Sequence, residues 1–158
     1  NMRALAKECG IALGTLYNYY SDKDELVVAA IESVWQDILE KSAPDSGVRF
    51  SQYVMHIYAR ILSGLKDYPD FFAAHSISVA GSAKGKARGT MERCFGKIRG
   101  ELHAALREDK NVDRSIFSET FREEDLIEHI LDTITISIIN GKPDCAVLTE
   151  ILDRLLYR

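Results

Sequence analysis

The sequence has little of what builds a stapled, membrane-spanning or metal-centred protein. Three cysteines in 158 residues cannot form a disulfide framework, and no basic-then-apolar leader opens the chain, so the expected compartment is the reducing cytoplasm. Apolar runs are short: Ile134 to Ile139 is interrupted by Thr135 and Ser137, far below the ~20 residues that cross a bilayer. No membrane span is expected. His56, His75, His103 and His129 are scattered and no Cys-x-x-Cys occurs, which points to no metal and no cofactor. A di-iron carboxylate bundle needs Glu-x-x-His, yet Gly100 precedes His103 by three and Leu126 precedes His129 by three. Phosphate loop and nucleophile elbow are also absent, so the sequence points away from an enzyme.

What is present suits one globular, all-α protein. Hydrophobic residues make up 46% and charged residues 28%, ordinary for a chain with a packed core and unlike a disordered one. Net charge is −4, so attraction to a polyanion would have to be local. Charge is polarised along the chain. Lys84, Lys86, Arg88, Arg93, Lys97 and Arg99 face only Glu92 within 84–99, whereas 119–153 is acidic. The basic run fits a solvated helix face or a site for an anionic ligand such as an acyl-coenzyme A or a nucleotide, and the solvated face is the expectation. Cys9, Cys94 and Cys145 read as small hydrophobes, with a redox switch as the alternative.

Only three prolines occur, Pro44, Pro69 and Pro143, each near a turn-like residue. Between them apolar positions recur every three or four residues, as in Leu26, Ala29, Ala30, Val34 and Ile38. The pattern predicts helices from Met2 to Cys9, Leu13 to Tyr19, Ser21 or Asp22 to Lys41, and over about 47–66, 69–80, 84–108, 121–140 and 144–157. Thr133 to Ile139 alternates like a strand and is rich in β-branched residues. Helix is nevertheless expected there, because Ile127, Ile130, Leu131, Ile134 and Ile138 hold one helical face and no second strand exists to pair.

The most informative stretch is Leu5-Ala6-Lys7-Glu8-Cys9-Gly10-Ile11-Ala12-Leu13-Gly14-Thr15-Leu16-Tyr17-Asn18-Tyr19-Tyr20-Ser21-Asp22-Lys23-Asp24-Glu25-Leu26. It reads as a helix, a glycine turn and a second short helix, the pattern of a helix-turn-helix. Leu5, Ile11 and Leu16 are expected to meet in a small core, Gly10 to end the first helix, and Leu13, Gly14, Thr15, Tyr17 and Asn18 to face outward. Tyr17, Tyr19 and Tyr20 also fit as packing aromatics of a bundle, and Tyr20 is assigned to the core.

This stretch resembles the signature of TetR-family transcriptional regulators, in Leu5 to Ile11, Gly14 to Tyr17 and Tyr19 to Leu26, over about a fifth of the chain. The resemblance implies a DNA-binding domain with connecting helix at 1–41 and a helical-bundle ligand-binding and dimerisation domain at 42–158. It implies DNA contacts from Arg3, Leu13, Gly14, Thr15, Tyr17, Asn18, Tyr19 and Lys23. Leu13 stands where the family often has a polar or basic residue, leaving an apolar contact to a thymine methyl. The family also has a helix before the motif, so further residues upstream are expected to supply partners for Met2, Leu5, Leu16, Tyr20 and Leu26.

For the rest of the chain the resemblance implies a small-molecule effector, a homodimer and a double-stranded, palindromic operator. Trp35, Tyr53, His56, Ile57, Arg60, Phe71, Phe72, His75, Met91, Phe95, Ile98, His103 and Ile134 are the effector-site candidates, each of which also fits as an ordinary core or surface residue. Ile127, Ile130, Leu131, Ile138, Leu148, Ile151, Leu152, Leu155 and Leu156 are the dimer candidates, in a four-helix bundle of two helices from each subunit. The same stripes would also serve a subunit's own core. The expected function is a repressor released by its effector; the alternative is a helical small-molecule-binding or interaction module that does not bind DNA.

Overall fold

The computed structural model describes residues 1–40, 47–69 and 84–157, with the backbone alone for 84–88, 90 and 91. The helix expected at about 69–80, with Phe71, Phe72 and His75, lies outside these residues, as does the side chain of Met91. Among the described residues the protein is all-α. Seven α-helices run in order: α1 Met2–Glu8, α2 Leu13–Tyr19, α3 Lys23–Glu40, α4 Phe50–Asp67, α5 Lys84–Glu108, α6 Glu123–Ile139 and α7 Ala146–Leu156, with a 3-10 turn at Arg114–Ile116.

The chain divides into two compact units, Asn1–Asp37 with Tyr68–Cys94, and Ile38–Asp67 with Phe95–Arg158. In the first, α1 and α2 enclose a small core of Met2, Ala6 and Leu16, with Leu13, Tyr20 and Leu26 packed on it. Asp22 caps α3, its Oδ1 accepting from the Glu25 N–H at 2.7 Å, while Glu25 Oε2 accepts from the Ser21 N–H at 2.7 Å. This reciprocal arrangement satisfies donors that a helix start otherwise leaves open. Elsewhere in this unit Tyr68 donates to Asp37 at 2.9 Å, and Arg93 pairs with Glu32.

The second unit has the larger core. Phe50, Val54, Ile57, Ile98, Leu102, Leu106, Ile127, Ile130, Leu152 and Leu156 are all fully buried, drawn from α4, α5, α6 and α7 at helical spacing. Gly64 on α4 lets Ile38 of α3 approach closely: a Cβ at Gly64 would lie 2.3 Å from Ile38 Cγ1. The β-branched run of α6 is helical. Thr133 and Thr135 hydroxyls donate to the carbonyls of His129 and Leu131, each at 2.8 Å, which gives these residues a local partner inside a helix. Gly141, at φ 67°, ends α6: its N–H donates to Ile138 O and the Lys142 N–H to Ser137 O, each at 2.9 Å.

Two features here have no local sequence signal. Ser118 and Phe121 form an isolated antiparallel bridge, with the Phe117 and Phe121 rings stacked 5.7 Å apart. Arg122 caps α6 through Asp125, its Nη2 donating to Oδ1 at 2.7 Å and its backbone N–H to Oδ2 at 3.2 Å.

Candidate nucleic-acid interface

The segment from α1 to the start of α3 is shaped by how α1 ends. Cys9 is the last cap residue and Gly10 takes φ 67°, a left-handed conformation that side chains disfavour. The Ile11 N–H donates to Ala6 O at 3.0 Å and the Gly10 N–H to Lys7 O at 3.2 Å. These paired bonds satisfy the last carbonyls of α1 and turn the chain sharply into α2. At the other end the Asn1 side chain accepts from the Arg3 N–H at 2.9 Å.

That turn fixes which side of α2 faces out. Arg3, Gly14, Thr15, Tyr17, Asn18, Tyr19 and Lys23 are exposed, whereas Leu16 between them is buried. Three expectations need correcting. Leu5 and Ile11 are exposed rather than joining the small core; Met2 and Ala6 occupy the side of α1 that meets Leu16. Leu13 is half-buried and packs against that core, so it does not face freely outward. The exposed set is rich in hydroxyl and amide groups, with one cation on α1 and one at the start of α3, chemistry suited to phosphate oxygens and base edges.

Residues 1–30 match the model of the bacterial regulatory proteins, tetR family. The segment from α1 to the start of α3 is thus similar to the helix-turn-helix of that family. No curated protein and no solved structure matches the chain. The match covers the two short helices and the start of α3, and the described residues contain no helix long and apolar enough to cross a membrane.

Beyond the tetR-family segment, the effector-site candidates divide by burial. Trp35, Ile57, Arg60, Ile98 and Ile134 are buried; Tyr53, His56, Phe95 and His103 are half-buried. The structure brings Tyr53 and Arg60 together on Glu101 of α5, which the sequence did not single out. Arg60 Nη2 donates to Glu101 Oε2 at 2.7 Å and the Tyr53 hydroxyl to the same oxygen at 3.5 Å. Burial first, then the Glu101 charge, raises the Tyr53 phenol above its ordinary value. Within the basic run, Arg99 pairs with Glu128 as Arg93 does with Glu32.

The dimer candidates also divide. Ile127, Ile130, Leu131, Leu148, Leu152 and Leu156 are buried within the subunit, Ile138 is half-buried, and Ile151 and Leu155 are exposed. The six buried residues serve the subunit's own core, the alternative that the sequence leaves open for these stripes. Ile136, Ile139 and Val147, none of them a dimer candidate from the sequence, share the exposed surface of α6 and α7. Between these helices lies a groove of about 560 Å³, lined among others by His129, Thr133, Val147, Ile151 and Leu155. Cys145 on its wall is buried, and that burial, with the nearby Asp144 charge, pushes its thiol up to about 11, far from a reactive thiolate at neutral pH. Among the described residues no group of three or more His, Cys, Asp or Glu side chains is placed to hold a metal ion.

Proposed function

We propose that this protein is a cytoplasmic, homodimeric repressor that leaves a palindromic operator when a small molecule binds its helical domain. The observation that carries the reading is the exposed face of α2, with Thr15, Tyr17, Asn18 and Tyr19 presented beside a tightly capped turn. In a helix-turn-helix dimer, two such helices read half-sites ~34–36 Å apart, and phosphate contacts set the register. Thr15 and Asn18 reach base edges, Tyr17 and Tyr19 reach phosphates, Gly14 allows close backbone approach, and Arg3 and Lys23 flank the site. Leu13, half inside the core, adds at most an apolar edge.

The dimer forms through the exposed side of α6 and α7, where Ile136, Ile139, Val147, Ile151 and Leu155 supply apolar surface. Effector binding shifts the population toward a dimer geometry whose recognition helices no longer fit successive major grooves. The 18-residue α3 is the connecting element, since it starts beside the recognition helix and contains Ile38, where the second unit begins.

Capture of genomic fragments by the full-length protein tests the reading, with Thr15→Ala plus Tyr17→Ala as the control and salt varied. Enrichment of a short palindrome, lost in the control and weakened steeply by salt, is the expected result. A folded dimer that captures nothing at low salt would leave a ligand-binding or interaction module as the better reading.

A further inference from the structure

Arg60 is the one charged side chain on the core side of α4, and its partnering is incomplete. Its side chain is 4% exposed, against 30% for Glu101, and the pair is joined by a single contact, Nη2 to Oε2 at 2.7 Å. The Arg60 Nε–H is buried with no acceptor. A buried guanidinium is normally matched along an edge by two parallel hydrogen bonds, and a buried donor left unmatched is unfavourable. Tyr53 lies two turns earlier on the same face of α4 and shares the same Glu101 oxygen at 3.5 Å. One carboxylate oxygen thus serves two donors while a third has none.

We propose that Arg60, Tyr53 and Glu101 form the polar anchor of the effector site, and that the effector is a monocarboxylate that replaces Glu101 on Arg60. The proposal rests on the ligand-responsive reading above. A carboxylate places two oxygens at the spacing of the guanidinium fork, so it satisfies Nε and Nη2 together and leaves an oxygen lone pair for the Tyr53 hydroxyl. A cation would add donors where acceptors are short. Exchange keeps one negative charge on Arg60, and Glu101, already partly exposed, is rehydrated as it leaves. The same exchange releases α5 from its bond to Arg60 of α4, which links occupancy to the packing of the helical domain.

The test is calorimetric titration of the full chain with hexanoate and benzoate, and with hexanamide and benzamide as neutral isosteres. In the native protein the carboxylates should bind at least about tenfold tighter than the amides, because charge-assisted bonds to a desolvated guanidinium exceed neutral ones. Arg60→Met should erase that preference. Glu101→Gln should tighten carboxylate binding by about tenfold, since a neutral amide competes weakly for Arg60. Glu101→Gln keeps the shape of the site and so carries the test even if Arg60→Met does not fold. Equal binding of acid and amide overturns the anchor while leaving a ligand-responsive regulator intact, as does a Glu101→Gln variant that binds carboxylates no better. Carboxylate binding at Arg60 without release of operator DNA supports the anchor and counts instead against regulation by effector.

Discussion

The backbone N–H of Phe50 donates to Oδ2 of Asp109 at 2.8 Å, joining residues 59 apart. The same oxygen accepts from the Tyr157 hydroxyl at 2.6 Å, and Oδ1 accepts from the Asn111 N–H at 3.0 Å. One buried carboxylate thereby caps the start of α4, holds the turn after α5 and anchors the residue following α7. Arg49 lies over the Tyr157 ring at 4.7 Å on the same corner.

Burial alone would raise the Asp109 carboxyl, but hydrogen bonds from Tyr157, Phe50 and Asn111 outweigh it and hold the group below its ordinary 3.8. A carboxyl depressed in the folded state contributes stability that is present above its unfolded value and lost as pH falls through its folded one. Asp109→Asn should therefore cost about 2 kcal/mol at neutral pH, as charge-assisted bonds become neutral ones. It should also flatten the loss of stability below pH 3.8. Urea unfolding at neutral and acid pH measures both effects; equal losses for the variant and the native protein as the acid is increased would exclude the role.

Gly64 and Gly100 should respond in opposite directions to alanine. At Gly64 the new Cβ would lie 2.3 Å from Ile38 Cγ1, whereas at Gly100 of α5 nothing lies within 4 Å. Gly64→Ala is expected to destabilise by about 1–3 kcal/mol through overpacking, and Ile38→Ala should relieve part of that in the double variant. Gly100→Ala should stabilise by about 0.5–1 kcal/mol, from helix propensity alone. Thermal unfolding of the four variants decides this.

Much of the helical plan was legible in the sequence because apolar spacing and caps are local. The pattern predicted α2 at Leu13 to Tyr19 and α5 at 84–108, as the structure has them. Thr133 to Ile139 is readable as helix because Ile127, Ile130, Ile134 and Ile138 keep helical phase over more turns than the alternation lasts, and because no second strand exists to pair with it. Direction within a short helix was harder. Leu5 and Ile11 looked as suitable for the small core as Met2 and Ala6, and only the relative placement of α1 and α2 distinguishes them. Asp109 and Glu101 carry no local mark, since their partners lie 48 or more residues away for the bonds to Phe50 and Tyr157, and 41 for Arg60.

On α2, the proposed recognition helix, neighbours should separate binding from folding. Leu16 is buried and Tyr17 exposed. Tyr17→Phe should weaken operator binding through the lost hydroxyl with no change in thermal stability, while Leu16→Ala should destabilise the small core by about 2–5 kcal/mol. Lys23→Ala should weaken binding evenly across operator sequences and reduce the salt slope by about one. Fluorescence anisotropy across a salt series checks the binding of Tyr17→Phe and Lys23→Ala, and thermal unfolding checks the stability of Tyr17→Phe and Leu16→Ala; an unchanged slope for Lys23→Ala would remove it from the phosphate contacts.

The same logic applies at the surface of α7, where Ile151 is 54% exposed and Leu152 is 1% exposed. Both are apolar and adjacent, so composition cannot assign them, but their energetic roles differ. Leu152→Ala leaves a cavity between α7 and the core and should cost about 2–5 kcal/mol of subunit stability. Ile151→Glu leaves that core untouched and places a charge on the apolar face beside the groove. If this face joins two copies, each two-fold contact receives the charge twice, and desolvating it opposes association. Sedimentation should then show a folded monomer for Ile151→Glu at concentrations where the native protein is a dimer, with helical content unchanged. A variant that remains dimeric would move the interface elsewhere, and Ile136 and Ile139 on α6 would have to be examined without α7.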